Sequence, residues 1–435
     1  MTLPRFQWSA LDATSQSRLL ARPAVNASTV IDATVADVIE KVRRDGDAAL
    51  LALTAQFDGA SLTTLAVTED EFAAAEAALS SDDKQAMVSA IENIRRFHAA
   101  QRSAPIRVET RPGVICERIV RPIESVGLYV PAGTASLPSA AMMLCVPATL
   151  AGCDTRVLCS PPDENGQIAA SILFAARSAG VDQVFKLGGA QAIAAMAYGT
   201  ESVPKVSKVF GPGNAYVTSA KSQVAADPAG AAQDMPAGPS EVLVIADDAA
   251  IAEHVAADLL SQAEHGADSQ VVLLTTSATL IDDVERAIAQ QLEQLGRKNI
   301  MEQALANSAL IEVDSLEQAV SVSNHYAPEH LIVNVADPRQ LLDSIRNAGS
   351  VFLGRLTPES LGDYCSGTNH VLPTYGYARN YSGLGIEQFQ LQMTVQEVNR
   401  EGLKHIGPVA ETLARLEGLD AHALAVQLRL QQEGY

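Results

Sequence analysis

The sequence predicts an α/β fold with two incomplete Rossmann-like parallel-sheet domains and small helical N-terminal and C-terminal extensions. From about residue 125 onward, short apolar runs alternate with Ala-rich helical segments. The runs are residues 126–130, 156–159, 184–187, 209–211, 242–246, 271–274, 331–333 and 351–353. Near-continuous apolar strands separated by helices are typical of parallel sheets with both faces covered. Eight such runs exceed what one small nucleotide-binding unit needs, so two domains are favoured over one.

The segment before these strands has a helical pattern. Val35, Val38 and Val42 recur at helical spacing, and Gly46 interrupts the pattern. A second helical stretch, rich in Ala, Glu and Lys, runs from about residue 69 to residue 101. Both stretches have one apolar stripe and one charged face, so we interpret them as scaffold.

No low-complexity linker separates the domains, so their boundaries are inferred from changes in sequence texture. The predicted division is an N-terminal helical extension (1–28), a discontinuous first α/β domain (29–128 and 242–384), a second α/β domain (129–241) and a C-terminal helical arm (385–435). The arm is predicted because the apolar strand pattern stops at about residue 385.

Length and composition narrow the possible functions. At 435 residues, with 47% hydrophobic and 19% charged residues, the chain can bury a large core. A formal net charge of −20 argues against nucleic acid or an anionic membrane as the main partner, because both attract basic surfaces. The first residues lack a basic flank followed by an apolar core, and Pro, Gly or charge interrupts the longest apolar runs. Neither a signal peptide nor a transmembrane helix is therefore predicted.

The cysteine pattern indicates a reducing compartment. The cysteines are Cys116, Cys145, Cys153, Cys159 and Cys365. Their number is odd and no two form a C-x-x-C spacing, so neither a disulfide framework nor a zinc finger is predicted. We expect a cytoplasmic protein in which at least four of these side chains are small buried hydrophobes.

An adjacent carboxylate and imidazole, Glu329 and His330, precede an apolar run that predicts a buried strand. Pro328 fixes its own φ and biases Ala327 towards extended geometry, so we expect a non-helical entry into the pair. At the start of a strand the two side chains would point in opposite directions. Glu and His are common general acids and bases, so the pair suggests two separate proton transfers. A loop carboxylate beside a satisfied strand-edge histidine is the structural alternative.

Three glycine-containing turns follow predicted strands, at residues 131–134, 188–191 and 211–214. Glycine at such turns lets the backbone approach a phosphate or a neighbouring strand closely. None completes G-x-G-x-x-G, since residues 211–216 supply only its first two glycines. The nucleotide signal is therefore weak, and a tight strand-to-helix turn is the favoured explanation of each motif taken alone.

Three further segments combine polar side chains with defined backbone geometry. Ser240 ends a Pro-rich and Gly-rich loop just before a strong strand. Gln262 and His265 are three residues apart in a helical stretch, so they share a face and can hold one metal ion. Residues 362–370 place a carboxylate, a histidine and the Cys365 thiol in a small polar loop, where functional residues are common. A plain turn, a polar helix face and a buried thiol are the respective alternatives.

Together these segments resemble the histidinol dehydrogenase family from about residue 30 to the end of the chain. The motifs that carry the resemblance are GPGNAYV (211–217), DMPAGPSE (234–241), QAEH (262–265), NHYAPEH (324–330), GDYCSGTNH (362–370) and EGLDAH (417–422). Each motif is weak alone, but six in the same order are highly specific.

The resemblance implies a role for each matching residue. The implied zinc ligands, one ion per subunit, are Gln262, His265, Asp363 and His422. The implied acid/base residues are Glu329 and His330. The implied substrate contacts are Ser240, Gln262, His265, His330, Asp363, His370, Glu417 and His422. The implied NAD contacts are Tyr129, Gln191 and Asn214.

The resemblance also implies the reaction and the assembly. The family oxidises L-histidinol to L-histidine through L-histidinal, in two hydride transfers to two NAD, at the end of histidine biosynthesis. It forms a homodimer whose C-terminal arm brings Glu417 and His422 to the partner's site. On this view His330 takes the alcohol proton in the first oxidation, and Glu329 activates water in the second.

Three other functions fit parts of the same pattern. A zinc hydrolase would use Glu329 to activate a metal-bound water and would need no NAD. A thiol-dependent aldehyde dehydrogenase would use Cys365 as a nucleophile and would tolerate chelators. A non-catalytic binding protein on the same scaffold would bind ligand without turnover.

Overall fold

The computed structural model describes residues 3–22, 29–132, 136–236 and 238–432, and it confirms the α/β class. The strands are β1 Arg5–Gln7, β2 Ile106–Arg111, β3 Val114–Pro122, β4 Ser125–Tyr129, β5 Thr155–Ser160, β6 Gln183–Lys186, β7 Lys208–Phe210, β8 Ala232–Gln233, β9 Glu241–Ala246, β10 Gln270–Thr275, β11 Ala309–Glu312, β12 His330–Asn334, β13 Ser350–Leu353 and β14 Gln390–Val398. All eight predicted apolar runs overlap strands of the two parallel sheets.

Helices connect and cover these strands. They are α1 Ala13–Leu19, α2 Thr29–Phe57, α3 Glu69–Ala78, α4 Ser81–Ala100, α5 Pro138–Ala151, α6 Ala170–Ser178, α7 Gly189–Tyr198, α8 Ala215–Ala226, α9 Ala252–Ala263, α10 Ala278–Leu292, α11 Lys298–Ala306, α12 Leu316–Tyr326, α13 Glu359–Tyr364, α14 Arg400–Leu416 and α15 Asp420–Gln431. Short 3-10 helices cover Trp8–Ala10, Pro338–Ser344, Tyr377–Arg379 and Ile386–Phe389. Helix α2 is kinked at Gly46, where the sequence pattern is interrupted.

The larger sheet has six parallel strands in the order β1-β11-β10-β9-β12-β13. Side chains on one face of β9, such as Val242 and Val244, pack with α9, α10 and α11. Those on the other face, such as Leu243 and Ile245, pack with α12. Because both faces are covered, every residue of β9 is buried, which explains its continuous apolar pattern.

The second sheet has five parallel strands in the order β6-β5-β4-β7-β8. Helices α3, α4, α5 and α6 contribute to the apolar core on one face, around Leu128 and Leu158. Helices α2, α7 and α8 contribute to the core on the other face, around Val157 and Val209.

The packing of α2, α3 and α4 differs from the predicted domain division. Residues 29–128 were expected in the domain of residues 242–384, but these helices pack around the five-stranded sheet instead. Helical periodicity identifies the apolar stripe of a helix and cannot identify the sheet that the stripe covers. The predicted N-terminal helical extension also differs, because its residues 5–7 form β1 at an edge of the six-stranded sheet.

A third, antiparallel sheet joins the C-terminal arm to the rest of the chain, in the order β14-β3-β2. The arm contains the expected helices, α14 and α15, but it begins with β14, which the sequence pattern does not predict. Most side chains of β14 are exposed, including the large apolar ones of Leu391 and Met393. Because the described residues cover neither face, β14 lacks the burial pattern that marks the strands of the two parallel sheets.

Two further expectations can be compared with the structure. No helix within the described residues is long and apolar enough to cross a membrane. All five cysteines are free. Cys145, Cys153 and Cys159 are buried, but Cys116 and Cys365 are half-buried, so three are buried where at least four were expected.

Candidate active site

A cleft of about 1300 Å³ lies between the two parallel sheets. Pro131 and Asn214 line it from loops that follow strands of the five-stranded sheet, and Ser240 and His330 line it from the six-stranded sheet. The predicted site residues that the structure brings together on its walls are Asn214, Ser240, His265, Glu329, His330, Asp363 and His370.

Glu329 and His330 lie at the amino end of β12, and both side chains are buried. His330 Nδ1 is 3.6 Å from Glu329 Oε2, so the expectation that the two side chains point apart is wrong. Ala327 is not extended as expected, but adopts the left-handed conformation at the end of α12 (φ 54°, ψ 67°). Glu329 therefore precedes the regular pleat, and strand alternation does not apply to the pair.

Glu241, the first residue of β9, holds both members of the pair. Its backbone N–H donates to Glu329 Oε2 (2.9 Å), and the Glu329 N–H donates back to Glu241 Oε1 (3.2 Å). His330 Nδ1 lies 3.2 Å from the Glu241 carbonyl oxygen, which favours the tautomer protonated at Nδ1. His330 Nε2 is 3.4 Å from Asp363 Oδ1.

Burial and neighbouring charge perturb the proton affinities of the pair. Burial raises the pKa of Glu329 to about 8. Burial alone would lower the pKa of His330, but the carboxylates around it, with Glu359 the strongest, outweigh burial and hold this pKa well above its usual value. Burial of Glu329 and the carboxylates around His330 therefore raise the proton affinity of both bases.

His265, Glu359 and Asp363 form a cluster with metal-ligand geometry. One ligand atom from each lies within 4.8 Å of the others. One nitrogen and two carboxylate oxygens suit a divalent cation such as zinc. His265 follows the end of α9, while Glu359 and Asp363 are four residues apart on α13 and so face the same way.

Gln262 lies beside this cluster, in the last turn of α9, and is fully buried. Hydrogen bonding places its amide nitrogen 3.1 Å from Glu359 Oε2 and its amide oxygen 3.0 Å from the Glu241 N–H. Glu359 therefore contacts a predicted ligand directly.

Burial and charge shift the proton affinities of the two carboxyl groups of this cluster in opposite directions. Burial raises the pKa of Glu359 to about 8. Burial would also raise the pKa of Asp363, but the contact with His330 and the charges of His330, His370 and His265 together outweigh burial and lower this pKa. Metal ligands bind in the deprotonated form, so a cation bound here would compete with the Glu359 proton.

His370 and Ser240 complete the wall around the cluster. His370 Nδ1 is 2.9 Å from the backbone oxygen of Asp363, and burial lowers the pKa of His370, which favours the neutral ring. The neighbouring Asn369 is buried, and its amide nitrogen donates to the Met143 carbonyl oxygen (2.8 Å). His370 is therefore anchored to the end of α13, which carries Asp363.

The predicted cofactor residues lie at the carboxyl edge of the five-stranded sheet. Asn214 lines the cleft and caps α8, where its side-chain oxygen accepts from the N–H groups of Tyr216 and Val217. Tyr129 and Gln191 are buried and do not belong to the described lining of the cleft. Tyr129 Oη instead accepts from the Gly189 N–H (3.0 Å), at the start of α7.

A buried ion pair holds the turn at Gly211, before Asn214. Asp234 Oδ2 accepts from the Gly211 N–H (2.8 Å), and Lys221 Nζ donates to the Gly211 carbonyl oxygen (2.9 Å). Lys221 also pairs with Asp234. Gly211 has φ 123°, and a Cβ there would lie 2.1 Å from the backbone carbonyl oxygen of Tyr129. This position therefore requires glycine. The earlier turn at residues 131–134 lies partly outside the described residues.

Two predicted site residues lie elsewhere in this chain. Glu417 follows α14 and His422 lies on α15, and both are exposed. Neither belongs to the described lining of the cleft.

Sequence reasoning did not identify Glu359 and Glu241 as site residues. Glu359 could have been found from its i,i+4 spacing to Asp363, since this spacing puts two carboxylates on one helical face. Glu241 acts largely through its backbone, and no residue pattern identifies such a role.

Comparisons with known proteins agree with this geometry. The histidinol dehydrogenase family model matches residues 20–430. Histidinol dehydrogenase of Vibrio vulnificus strain YJ016 is 57% identical over 98% of this chain and 98% of its own length. Histidinol dehydrogenase of Xanthomonas oryzae pv. oryzae is 58% identical over 97% of this chain and 98% of its own length. A crystal structure of histidinol dehydrogenase from Elizabethkingia anophelis superposes with a TM-score of 0.95 at 48% identity, over 99% of this chain and 98% of that one. The chain therefore belongs to the histidinol dehydrogenase family of oxidoreductases.

Proposed function

We propose that this chain is a zinc-dependent L-histidinol dehydrogenase that uses two NAD to oxidise L-histidinol to L-histidine through L-histidinal. The observation that carries the proposal is the Glu329–His330 pair, which lies against the cluster of His265, Glu359 and Asp363 in the cleft between the sheets. This reaction completes histidine biosynthesis, and we assign it to the cytoplasm.

We assign the two bases to different steps. His330 takes the alcohol proton through Nε2 as hydride leaves the substrate, because Nδ1 is engaged by the Glu241 carbonyl oxygen. Glu329 takes a proton from the water that adds to the aldehyde in the second step. Glu329 lines the cleft and its side chain is buried, which supports this role.

We assign the metal to Gln262, His265 and Asp363, with Glu359 beside them. When bound, zinc would orient the imidazole and amine of the substrate and, by its charge, lower the pKa of both neighbouring bases. Ser240 and His370 stand on the same wall and are proposed to contact the substrate. Asn214, Tyr129 and Gln191 are proposed to hold NAD at the other wall.

We propose a homodimer in which Glu417 and His422 of the partner subunit complete each site, with His422 of the partner subunit as the fourth zinc ligand. Two features support this. Both positions are exposed on the arm, outside the cleft of their own chain. The arm also exposes large apolar side chains, among them Leu391, Leu416 and Leu428.

The test is the number of NADH formed per L-histidinol consumed, with and without prior treatment with a chelator. We expect two NADH per substrate, lost on chelation and restored by zinc. One NADH per substrate would mean that the aldehyde is released and that Glu329 does not perform the second step. No NADH at all would reject the dehydrogenase and favour the hydrolase.

The thiol-dependent alternative is tested by Cys365→Ala. Cys365 follows α13, and its carbonyl oxygen accepts from the Asn93 side chain (2.9 Å), but it does not belong to the described lining of the cleft. We therefore expect turnover within a few-fold of the wild type. A loss of several decades would revive a covalent route through this thiol.

A further inference from the structure

A second buried ion pair lies directly behind the Glu329–His330 pair. Arg22, in the N-terminal segment, donates through Nε to Glu241 Oε2 (2.5 Å) and through Nη2 to Glu241 Oε1 (2.9 Å). The side chain of Arg22 is 10% exposed and that of Glu241 is 2% exposed. Such a two-point contact fixes the orientation of the carboxylate as well as neutralising it.

The same guanidinium is held by the end of α12. Its Nη2 donates to the Tyr326 carbonyl oxygen (2.8 Å), and its carbon lies 3.9 Å from the centre of the Tyr326 ring. The Tyr326 hydroxyl is 3.2 Å from Glu241 Oε2 and donates to Gln270 Oε1 (2.8 Å). Arg22 and Glu241 are thus fixed within a network of four separate segments, and neither has room to move alone.

Glu241 transmits this arrangement to the cleft. Its carboxylate accepts from the Glu329 N–H, while its own N–H and carbonyl oxygen engage the Glu329 carboxylate and His330 Nδ1. Without Arg22, a buried Glu241 carboxylate would face Glu329 with no neutralising partner. It would then protonate or turn away, and in either case its contact with the Glu329 backbone would change.

We propose that Arg22 is a positioning residue for the reaction, acting through Glu241 to fix the Glu329–His330 pair. This inference rests on the proposed dehydrogenase function. It extends the site to an N-terminal segment that lies outside the family motifs and does not line the described cleft. Arg22 touches neither base directly, so its effect should fall on turnover and leave substrate and metal binding intact.

Arg379 provides a matched control, because it also braces the end of α12. Its Nη2 donates to the His325 carbonyl oxygen, one residue before Tyr326, but its side chain makes no described hydrogen bond or ion pair with Glu241. If bracing α12 were the whole role of Arg22, Arg22→Ala and Arg379→Ala would have similar effects. If Arg22 positions Glu241, only Arg22→Ala should impair turnover.

The experiment compares kcat, both KM values and bound zinc in the wild type, Arg22→Ala and Arg379→Ala. Wild-type NADH formation is measured first, since its absence would refute the proposed function and leave nothing for Arg22 to position. We expect Arg22→Ala to lower kcat at least 30-fold, with both KM values and zinc content within three-fold. Millimolar guanidinium should restore part of kcat in Arg22→Ala, because it can fill the vacated position beside Glu241.

Three results would overturn the inference while leaving the proposed function intact. They are an unchanged kcat in Arg22→Ala, equal losses in the two alanine variants, and a loss confined to KM or zinc content. If Arg22→Ala does not fold, Arg22→Lys decides instead. It keeps the charge but loses the two-point contact, so we expect a kcat loss of at least five-fold, and a wild-type kcat would refute the role.

Discussion

The two parallel sheets meet at the cleft with opposite edges. The five-stranded sheet presents its carboxyl edge, where Tyr129 ends β4 and Gly211 follows β7. The six-stranded sheet presents its amino edge, where Glu241 starts β9 and His330 starts β12. Ligands in open α/β sheets usually bind beyond the carboxyl ends of the strands, so only the first sheet follows the general rule.

The difference shows what an amino edge provides. At the start of a parallel strand the backbone N–H and carbonyl groups are not all used in the ladder, and those of Glu241 engage Glu329 and His330. The carboxyl edge of the six-stranded sheet instead borders a separate surface cavity, lined by Asp248, Glu253 and Ser277. We therefore infer that the five-stranded sheet, which carries the proposed cofactor contacts, binds NAD at its carboxyl edge in the usual way. The six-stranded sheet supplies, at its amino edge, the two bases proposed to transfer protons.

The largest effect is expected from removing a base at the amino edge. His330→Gln should lower the rate of NADH formation from L-histidinol by about 10²–10⁴-fold, and Glu329→Gln should lower the second oxidation by a similar factor. Stopped-flow absorbance with L-histidinol and with L-histidinal separates the two steps. Glu253→Gln, at the opposite edge of the same sheet, should retain full activity. Equal slowing of both oxidations in Glu329→Gln would contradict the division of roles.

A smaller effect is expected at the metal cluster. Glu359→Gln should weaken zinc binding about 10–100-fold, because it removes a carboxylate that both contacts Gln262 and belongs to the cluster. Competition with a chromophoric chelator measures the affinity without any need for turnover. Glu264→Gln, beside His265 but outside the cluster, is the control. Zinc affinity equal to that of the wild type in Glu359→Gln would exclude Glu359 from the metal centre.

At the carboxyl edge of the five-stranded sheet, Lys221→Met tests the turn at Gly211. Losing the Lys221 bond to the Gly211 carbonyl oxygen leaves Asp234 buried without its cation and loosens the turn. We expect the KM for NAD to rise roughly ten-fold, about the effect of losing one charge-assisted hydrogen bond. The KM for L-histidinol should stay within two-fold. A parallel rise in both constants would show that the two walls of the cleft are not separate in function.

The smallest effect concerns stability and pH at the same edge. Asp58 lies beside Gly188, and burial raises the pKa of Asp58 to about 6, above its ordinary value of 3.8. Between pH 3.8 and about pH 6, Asp58 therefore binds more protons in the folded chain than in the unfolded chain. Its contribution to the free energy of unfolding falls as the pH rises through this range. Asp58→Asn should raise Tm by on the order of 1 °C at pH 7.5 and by less at pH 4. Asp45→Asn, on the exposed surface of α2, should not raise Tm at pH 7.5.

Strands with both faces buried could be predicted from the sequence, and strands with exposed faces could not. The continuous apolar run 242–246 identified β9 at once, because its two covered faces leave no polar positions. The charged, alternating sequence of Ile106–Arg111 and the exposed Gln390–Val398 contain no such signal. Both strands pair with β3, β2 as its neighbour in sequence and β14 from far along the chain.

The candidate site also has features that could be predicted from the sequence and features that could not. Asp363 and His265 could be predicted because their motifs place them near other ligand types. The joint orientation of Glu329 and His330 could not, because it depends on the left-handed Ala327 and on Glu241. Arg22 and Glu241 are 219 positions apart, with the whole five-stranded sheet between them, so their contact leaves no local pattern.

The edge position of β1 has a consequence for synthesis of the chain. Phe6 pairs in register with Ile311, so the first strand of the six-stranded sheet must wait for one of the last to be made. At roughly 5–20 residues per second, the wait is on the order of tens of seconds. During that time β1 has no neighbouring strand, while the five-stranded sheet can already form. Translation order therefore favours folding of the five-stranded sheet first, with addition of β1 to the six-stranded sheet as a late event.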